Sequence, residues 1–550
     1  MKKYIVLSII ALSMGLVSCN DYLDKLPDNR TEANTVEKIQ KLLVSAYPTF
    51  DHMAITEYGS DNVDDMGANN PYTDRFLDQI YSWTDVTESD DQDPESYWAN
   101  LYQCIESANL ALENIESIGG ATTTTLKEMK AEALMCRAYA HFMLVNVFAM
   151  HYDAKNPDAL GVSYITESEK ALNPQYQRET VHENYAHIAA DLEAALPNVG
   201  DSYYTVPKYH FNRNAAYAFA TRFYLYYEKY DKVIEYANKV LGSNPKSMLR
   251  NNQYIASLPY DPKQVSLAYT DANQGSTLLL LASYSQQPIF FGPYYIGKRY
   301  SHNAYLGIHE DIQALAGLWG GKYSSYQVQV AQYSGTNIDT WLRWNLPYLF
   351  EYTDVVAGIG ESHTVYNVIT TDEVLINRAE AYALLEQYGK AYEDLTLWVR
   401  NTVLTRYQRF TVTKDAVNEF LSSLDYAYDD KDKKESSLKK HLHPKFKIGA
   451  EGSEQENLIQ LILAMRRYET LHEGKRWFDI KRWGIEIPRR VMAADGTPDH
   501  VTDWLKVDDP RRAIQIPQKV RSAGYVPNKR AGGSDDDREN MIPDNYRLKD

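Results

Sequence analysis

The chain has 550 residues, of which 57 are basic and 74 acidic, so its formal net charge is −17. This acidity argues against sequence-independent nucleic-acid binding, which needs a basic surface to displace counterions. Because 44% of the residues are hydrophobic and 24% are charged, the composition is that of a globular chain rather than a disordered one. The unusual feature is the presence of 45 tyrosines against 14 phenylalanines. Tyrosine packs as an apolar plate and keeps a polar tip, so the excess suggests hydrated interiors, interfaces or a polar ligand with flat faces.

The first residues have the pattern of an export signal. Two lysines precede an apolar run over 4–17, which is shorter than the roughly 20 residues that a membrane-spanning helix needs. The run closes at LVSC, ending in Cys19, which resembles the lipobox of bacterial lipoproteins, where cleavage exposes a cysteine that is then acylated. Several acyl chains on one residue give stable anchoring. The sequence therefore predicts a signal peptide at 1–18 and a lipidated tether at 19–31, with an ordinary secretory signal as the alternative.

Helical periodicity dominates two long parts of the chain. Apolar residues at spacings of three and four predict a helical hairpin over 97–149. Two later segments, 212–241 and 372–400, each have the pattern of helix, tight turn and helix, with Tyr230 or Tyr388 in the turn. This pattern is typical of a tetratricopeptide unit, and the first hairpin is a looser third copy. Units of this kind bury their cores only by stacking on neighbours, so a helical scaffold is expected.

The remaining segments are rich in Asn, Asp, Gly, Pro, Ser and aromatic residues, with weak periodicity; they are 51–95, 245–365, 425–455 and 484–550. Only short pieces such as 276–281 and 513–516 resemble strands. Long irregular spans in a compact protein usually serve a function. The expected fold is therefore mainly α-helical, with a tetratricopeptide-like scaffold, a large irregular lobe and a few short strands.

No catalytic signature keeps its spacing. His182 and His187 of HENYAH are five residues apart, which on a helix turns them off a common face, so a zinc protease motif is excluded. Acid clusters at Asp64-Asp65, Asp90-Asp91, Asp93 and Asp535-Asp536-Asp537 suggest Ca²⁺ binding or a carboxylate pair for glycoside hydrolysis. None has calcium-loop spacing, so solvated loop acids are the better interpretation. We therefore predict no cofactor, with Ca²⁺ left open.

The two cysteines beyond Cys19, Cys104 and Cys136, lie on apolar faces of helical patterns. Free Cys is among the most buried residue types, so we predict two buried thiols. A disulfide between the two helices is the alternative.

The segment RRYETLHEGKRWFDIKRWG, 466–484, is the densest cluster of charge and aromatic residues. Acids interleave with its basic residues, which is unsuitable for nucleic acid. We predict a helix end broken at Gly474, with Trp477, Phe478 and Trp483 docked on the core.

That segment resembles the signature of the SusD/RagB family, surface lipoproteins of Bacteroidetes. Five further pieces resemble the family in the same order: CNDYLDKLPDNR, AEALMCRAYAHFMLVNVFA, NRNAAYAFATRFYLYYEKYDKVIEYANKVL, DEVLINRAEAYALLEQYGKAYEDL and AIQIPQ. The resemblance implies a tetratricopeptide scaffold with an irregular glycan-binding lobe. It also implies a partner, a SusC-like TonB-dependent outer-membrane transporter, to which captured oligosaccharides pass without being cleaved. Asp21 and Asp24 resemble the signal that sends such lipoproteins to the outer face of the outer membrane.

On this basis the chain divides into an N-terminal SusD-like helical region at 32–245, irregular ligand-binding loops at 246–365 and a C-terminal SusD/RagB region at 366–550. The irregular part is where we expect the ligand.

Candidate ligand-binding residues follow from sugar chemistry. Sugars present flat C–H faces that stack on aromatic rings, and their hydroxyls bond to planar polar groups. Aromatic residues in irregular segments are the best candidates, because helical ones have a core to fill. These criteria select Tyr72, Asp74, Arg75, Tyr81, Trp83, Tyr294, Tyr295 and Trp319. Trp98 is assigned to the core, and Trp341 and Trp344 to one buried face.

Three other functions stay open at this point. A binder of peptides or other nutrients on the same scaffold would favour an apolar groove. A surface glycoside hydrolase would use two acids from 61–95. A tetratricopeptide adaptor with no small ligand would not depend on Trp319.

Overall fold

The structure is a computed structural model that describes residues 35–88, 92–171, 176–294, 297–334, 338–428 and 436–530. The predicted signal peptide and tether lie outside the described residues. So do Cys19, Asp21, Asp24, Asp90, Asp91, Tyr295 and Asp535 to Asp537. Within the described ranges, no helix combines the length and the apolar character needed to cross a membrane.

Helices make up most of the regular structure. In chain order they are α1 (Val36–Val44), α2 (Met53–Gly59), α3 (Arg75–Tyr81), α4 (Pro94–Ser117), α5 (Thr124–Phe148), α6 (Val181–Ala195), α7 (Arg213–Tyr226), α8 (Tyr230–Leu241), α9 (Asn252–Ser257), α10 (Pro262–Tyr269), α11 (Gln287–Phe290), α12 (Ala304–His309), α13 (Ile312–Ala316), α14 (Thr371–Leu384), α15 (Tyr388–Thr402), α16 (Lys414–Ser422), α17 (Glu454–Glu469), α18 (Arg476–Trp483) and α19 (Gln518–Ser522). The mainly helical fold class is confirmed.

The strands form three small sheets. They are β1 (Asp64–Asp65), β2 (Thr277–Tyr284), β3 (Tyr300–Ser301), β4 (Ala331–Tyr333), β5 (Thr340–Leu342), β6 (Leu349–Asp354), β7 (Ile359–Thr370), β8 (Ile487–Met492) and β9 (Pro498–Leu505). The strand orders are β3-β1-β8-β9, β2-β7-β6 and β4-β5. Within each sheet the pairs are antiparallel except β1 with β8.

Local signals begin the long helices where the sequence places them. Thr123 accepts a hydrogen bond from the Leu126 amide at the start of α5, and Thr180 forms a capping box with Glu183 at the start of α6. Such caps satisfy amides that have no partner within the helix. Helices α4 and α5 pack as the predicted hairpin, and Trp98 is buried as expected.

The two tyrosine-containing hairpins are also confirmed. Helices α7 and α8 pack against each other, as do α14 and α15, and α14 contacts α8. Glu228 and Glu386 both have a φ of 58°, and each lies two residues before the tyrosine that begins the second helix, Tyr230 or Tyr388. The shared left-handed residue gives both turns the same abrupt reversal, so the sequence repeat corresponds to a repeat of backbone conformation.

The strands were the weaker part of the sequence prediction. The strand predicted at 276–281 is the start of β2, but 513–516 is not a strand; there the Ile514 amide donates to the Val147 carbonyl at the end of α5. The longer strands β6, β7, β8 and β9 lie in segments that were expected to be irregular. Several residues of β6, β7 and β9 are exposed, and β8 is buried but contains Arg489 and Arg490, so none of them shows the continuous apolar run that marks a buried strand.

The segment 466–484 lies in the centre of the molecule. Trp477 and Trp483 are fully buried, and Gly474 has a φ of 69° between α17 and α18, as the break in the pattern predicted. The basic residues of this segment form buried ion pairs; Arg466 and Arg482 both bind Glu380. The two described cysteines are buried free thiols, so the prediction for Cys104 and Cys136 is confirmed.

Candidate functional site

Four aromatic rings from three separate segments meet on one part of the surface. Tyr260 packs on Trp344 with ring centroids 4.6 Å apart, and Tyr294 packs on Tyr348 at 5.1 Å. Tyr294, Trp344 and Tyr348 line the same small depression. Tyr260 and Tyr294 are 56% and 53% exposed, so both rings offer a face to solvent. We call these four residues the aromatic surface.

The backbone that carries the aromatic surface is anchored in the core. Arg343 donates to the Tyr269 hydroxyl at 2.8 Å and to the Tyr468 carbonyl, and Asn345 donates to the Leu471 carbonyl at 2.9 Å. Both side chains belong to the segment between β5 and β6 that presents Trp344 and Tyr348. The surface is therefore fixed by core contacts, although it lies in an irregular region.

Gly292 allows the turn that presents Tyr294. A Cβ atom at Gly292 would lie 2.0 Å from the Pro288 carbonyl oxygen, closer than real atoms approach. Only glycine therefore permits the chain to fold back on α11 immediately before Tyr294.

Polar atoms without partners lie beneath the rings. Gln287 Oε1, Asn345 Oδ1 and His472 Nε2 are buried, line the same depression as Tyr294 and have no hydrogen-bond partner among the described residues. Burial lowers the pKa of His472, and His302 and Lys298 lower it further, so its ring is neutral. Buried polar atoms usually have a partner, which is often water or a ligand. The depression therefore combines flat apolar faces with unused hydrogen-bonding groups.

Tyr72 lies close to this surface. Its amide donates to the Gly297 carbonyl at 3.3 Å, and its carbonyl accepts from the Arg299 amide at 2.8 Å. At about 3.5 Å per residue, the four residues from Lys298 back to Tyr294 span at most about 14 Å. Tyr72 is 56% exposed, so its ring is accessible to solvent.

The polar candidates beside Tyr72 have local roles. Asp74 caps α3 by accepting from the Leu77 amide at 2.8 Å. Arg75 forms an exposed ion pair with Glu88 at 2.9 Å. Contact of Tyr72, Asp74 and Arg75 with a ligand stays a prediction.

Three of the predicted aromatic residues are buried, so the expectation that their rings are exposed is wrong. Tyr81 stacks on Tyr300 with centroids 4.1 Å apart. Trp83 donates to the Gly59 carbonyl at 2.8 Å, and the guanidinium of Arg489 lies 3.8 Å from its ring centroid. Long-range packing with β3 and β8 covers both rings.

Trp319 is the clearest correction. It is 6% exposed, donates to Ser325 Oγ at 2.8 Å and meets Tyr326 edge-on at 5.5 Å. Trp319 stands between Gly317 and Gly320-Gly321, and a bulky ring with such flexible neighbours is not expected in the core. The structure instead shows that Gly320, with a φ of 66°, and Gly321, where a Cβ atom would lie 2.5 Å from Trp319 Nε1, let the chain turn tightly around a tryptophan of the core.

The sequence criteria also missed part of the aromatic surface. Tyr260 and Tyr348 are aromatic residues in irregular segments, so the criterion that selected Tyr294 applied to them as well. Trp344 is buried, as expected from its spacing to Trp341, but its ring also supports Tyr260. Nothing in the sequence indicates that Tyr260, Tyr294 and Tyr348 meet.

Two larger depressions lack the features of a stacking site. One, of about 630 Å³, has Lys481 and Arg512 in its wall, and both donate to backbone carbonyls. The other, of about 460 Å³, includes the buried Trp83 and three acids that already have partners. No exposed aromatic ring lines either one in the described part of the chain. We therefore prefer the open aromatic surface around the depression at Tyr294, where two rings face solvent; the depression itself, of about 10 Å³, holds no more than one water.

Comparisons with known proteins agree on the family. A SusD-like profile described as "Starch-binding associating with outer membrane" matches 21–225, and a profile described as "SusD family" matches 292–550. SusD-like protein P2 of Formosa agariphila is 23% identical over 454 residues, which cover 79% of each chain.

Solved structures share the fold. A SusD superfamily protein from Bacteroides thetaiotaomicron superposes with a TM-score of 0.56 at 18% identity, covering 90% of this chain and 100% of that one. A SusD-like carbohydrate binding protein from Bacteroides vulgatus gives 0.59 at 15% identity, covering 89% and 96%. The fold is thus that of the SusD superfamily. The chain belongs to the SusD family, whose members bind carbohydrate and associate with the outer membrane.

Proposed function

We propose that this protein captures oligosaccharides at the aromatic surface and delivers them, uncleaved, to a TonB-dependent outer-membrane transporter. It acts from the extracellular face of the outer membrane, to which acylated Cys19 attaches it. The observation that carries the proposal is the exposed Tyr294 ring, held against Tyr348 above buried polar atoms that have no partner.

The geometry suits sugar recognition. The apolar face of a sugar ring stacks on the exposed faces of Tyr294 or Tyr260. A few stacked sugar units bury little area, so the affinity of the isolated protein is modest. Modest affinity also suits delivery, because the ligand must leave, and docking on the transporter adds avidity.

The acids of 61–95 support binding rather than hydrolysis. A glycoside hydrolase needs a proton-donating acid and a second carboxylate, both free to reach the bond that breaks. Six of the described acids form ion pairs: Asp61 with Arg476, Asp64 with Arg490, Asp65 with Arg299, Asp85 with Arg530, Glu88 with Arg75 and Glu95 with Lys519. Two others, Asp74 and Asp93, cap helices. The remaining acid, Asp78, accepts a hydrogen bond from the Tyr300 hydroxyl. Every described acid of this segment is thus already engaged.

Asp61 shows how firmly such an acid is held. Burial alone would raise the pKa of Asp61, but Arg467 and Arg476 outweigh burial and hold it well below its usual value. A carboxylate that stays ionised and bound to arginine is a poor proton donor.

Isothermal titration of residues 20–550 against plant, host and fungal oligosaccharides tests the proposal. We expect saturable binding without products, and Tyr294→Ala should weaken it by about threefold to tenfold, the value of one aromatic contact. Tyr209→Ala is the matched control. Tyr209 is an exposed tyrosine, and its neighbour Lys208 donates to the Thr277 carbonyl at the start of β2, whereas Tyr294 follows the end of that strand in the chain.

Two outcomes would contradict the proposal. A folded protein that gives no heat with any glycan would favour a peptide or another nutrient as the ligand. Loss of substrate during the titration would favour the hydrolase.

A further inference from the structure

Strands β6 and β7 extend beyond their sheet as a two-stranded ribbon. Strand β2 ends at Tyr284, opposite His363, whereas β6 pairs with β7 from His363 out to Ile359. Residues 351–359 are all exposed. Isolated hairpins are only marginally stable in water, so a ribbon that projects in this way needs an explanation.

One face of the ribbon is aromatic. Phe350 and Tyr352 are two residues apart on β6 and therefore point to the same face, with ring centroids 4.8 Å apart. Gly360 lies opposite Tyr352, and a Cβ atom there would be 2.8 Å from a Phe350 ring carbon. The absence of a side chain at Gly360 therefore lets the Phe350 ring lie across the ribbon and support Tyr352, which is 55% exposed.

This aromatic face continues the aromatic surface. Tyr348 comes two residues before Phe350, and its ring contacts Tyr294. Tyr348 directly precedes β6, so at about 3.4 Å per residue Tyr348 and Tyr352 are at most about 14 Å apart along the chain. A sugar ring is similar in size to an aromatic ring, so one sugar unit cannot cover this distance.

The other face of the ribbon is acidic. Glu351 lies directly opposite Glu361, and neither forms an ion pair within the described ranges. Like charges in this position destabilise a sheet, so the ribbon is not arranged for its own stability alone. These acids would also repel a negatively charged ligand bound on the neighbouring face.

We infer that the ribbon is a second part of the binding site, and that the ligand is an uncharged glycan chain of several units lying along Tyr294, Tyr348, Phe350 and Tyr352. This inference rests on the proposed function and goes beyond it by defining the length and charge of the ligand. The aromatic surface binds one end of the chain, and Tyr352 binds units further along.

The test uses a length series, from disaccharide to octasaccharide, of the glycan that binds best in the panel. Affinity should rise with length for the unmodified protein. Tyr352→Ala should weaken the octasaccharide by about threefold to tenfold and leave the disaccharide unchanged, whereas Tyr294→Ala weakens every length. Tyr352→Phe, which keeps the ring, should behave as the unmodified protein, and Tyr209→Ala is the remote control. Circular dichroism and thermal unfolding confirm that each variant is folded.

The outcomes separate the two proposals. The inference is overturned if affinity does not change with glycan length, or if the Tyr352→Ala variant binds the octasaccharide normally. In either case the capture function still holds if Tyr294→Ala weakens binding. A panel in which uronate-containing oligosaccharides bind tightest overturns the assignment of an uncharged ligand. If no glycan binds, both proposals fail.

Discussion

Replacing Lys298 by methionine should stabilise the protein at neutral pH. Lys298 is 3% exposed, and its ammonium nitrogen has no hydrogen-bond partner among the described residues. It lies 4.9 Å from the centroid of the Phe291 ring. Burial lowers its pKa from 10.5 to about 7, because the charged form is poorly solvated there.

The size of the effect follows from the shift in pKa. Between pH 7 and 10.5 the unfolded chain keeps the proton and the folded chain does not, so stability rises with pH across this window. Each pKa unit corresponds to about 1.4 kcal/mol, so Lys298 destabilises the fold by on the order of 5 kcal/mol below pH 7. Lys298→Met keeps the length of the side chain and removes the charge. At pH 7 the Lys298→Met variant should therefore have a higher free energy of unfolding than the unmodified protein, by part of this amount. At pH 10 the difference should be smaller.

Urea unfolding at pH 7 and at pH 10 measures this difference. Lys322→Met, at an exposed position, is the control and should change neither value. Lys481, whose pKa burial also lowers to about 7, keeps its own contribution, so the pH dependence is reduced but not abolished. If Lys298→Met destabilised the protein at pH 7, or left the pH dependence unchanged, the ammonium would have a stabilising partner and the reasoning would be refuted.

Two further substitutions test the packing. Trp319→Ala should lower the free energy of unfolding by about 3–5 kcal/mol, because it leaves a cavity in the core. The folded variant should bind glycan normally in titration. Weakened binding would instead indicate that Trp319 contacts the ligand. Gly474→Ala should lower the thermal midpoint strongly, because its Cβ would lie 2.2 Å from Thr56 Oγ1 at a φ of 69°. Gly452→Ala is the control for backbone strain alone, because Gly452 has a φ of 75° and a Cβ atom there would meet no atom within 4 Å. Such strain amounts to about 1–2 kcal/mol. If both variants lowered the thermal midpoint equally, the clash with Thr56 would be excluded.

The helical part of the fold was predictable because its signals are local. Spacing of apolar residues, caps such as Thr123 and Thr180, and the turns before Tyr230 and Tyr388 all act within a few residues of the chain. Strands β6 and β7 were missed because β6 and the outer part of β7 face solvent on both sides. The only apolar signal there is the short alternation of Phe350 and Tyr352 with polar residues, and residues 351–359 are all exposed, so the pattern of a buried strand is absent.

The candidate site was predictable only in part. Aromatic residues in irregular segments were a reasonable criterion, and it found Tyr72 and Tyr294, which are exposed. It failed for Tyr81 and Trp83, because the guanidinium of Arg489 in β8, far along the chain, lies over both rings. It failed for Trp319, because glycine neighbours indicate a tight turn without indicating which way the side chain points.

The sequence by itself determined the helical hairpins, their repeat, the buried thiols, the break at Gly474 and the burial of Trp477, Phe478 and Trp483, because these depend on local patterns and on apolar faces that must be buried. The assembly of the aromatic surface depended on the folded structure. Tyr260 packs on Trp344 and Tyr294 packs on Tyr348, and the segment that carries Trp344 and Tyr348 is held by bonds from Arg343 and Asn345 to carbonyls up to 126 positions away. Contacts over such distances leave no periodic pattern in the chain, so only the packed molecule shows which exposed rings form one surface.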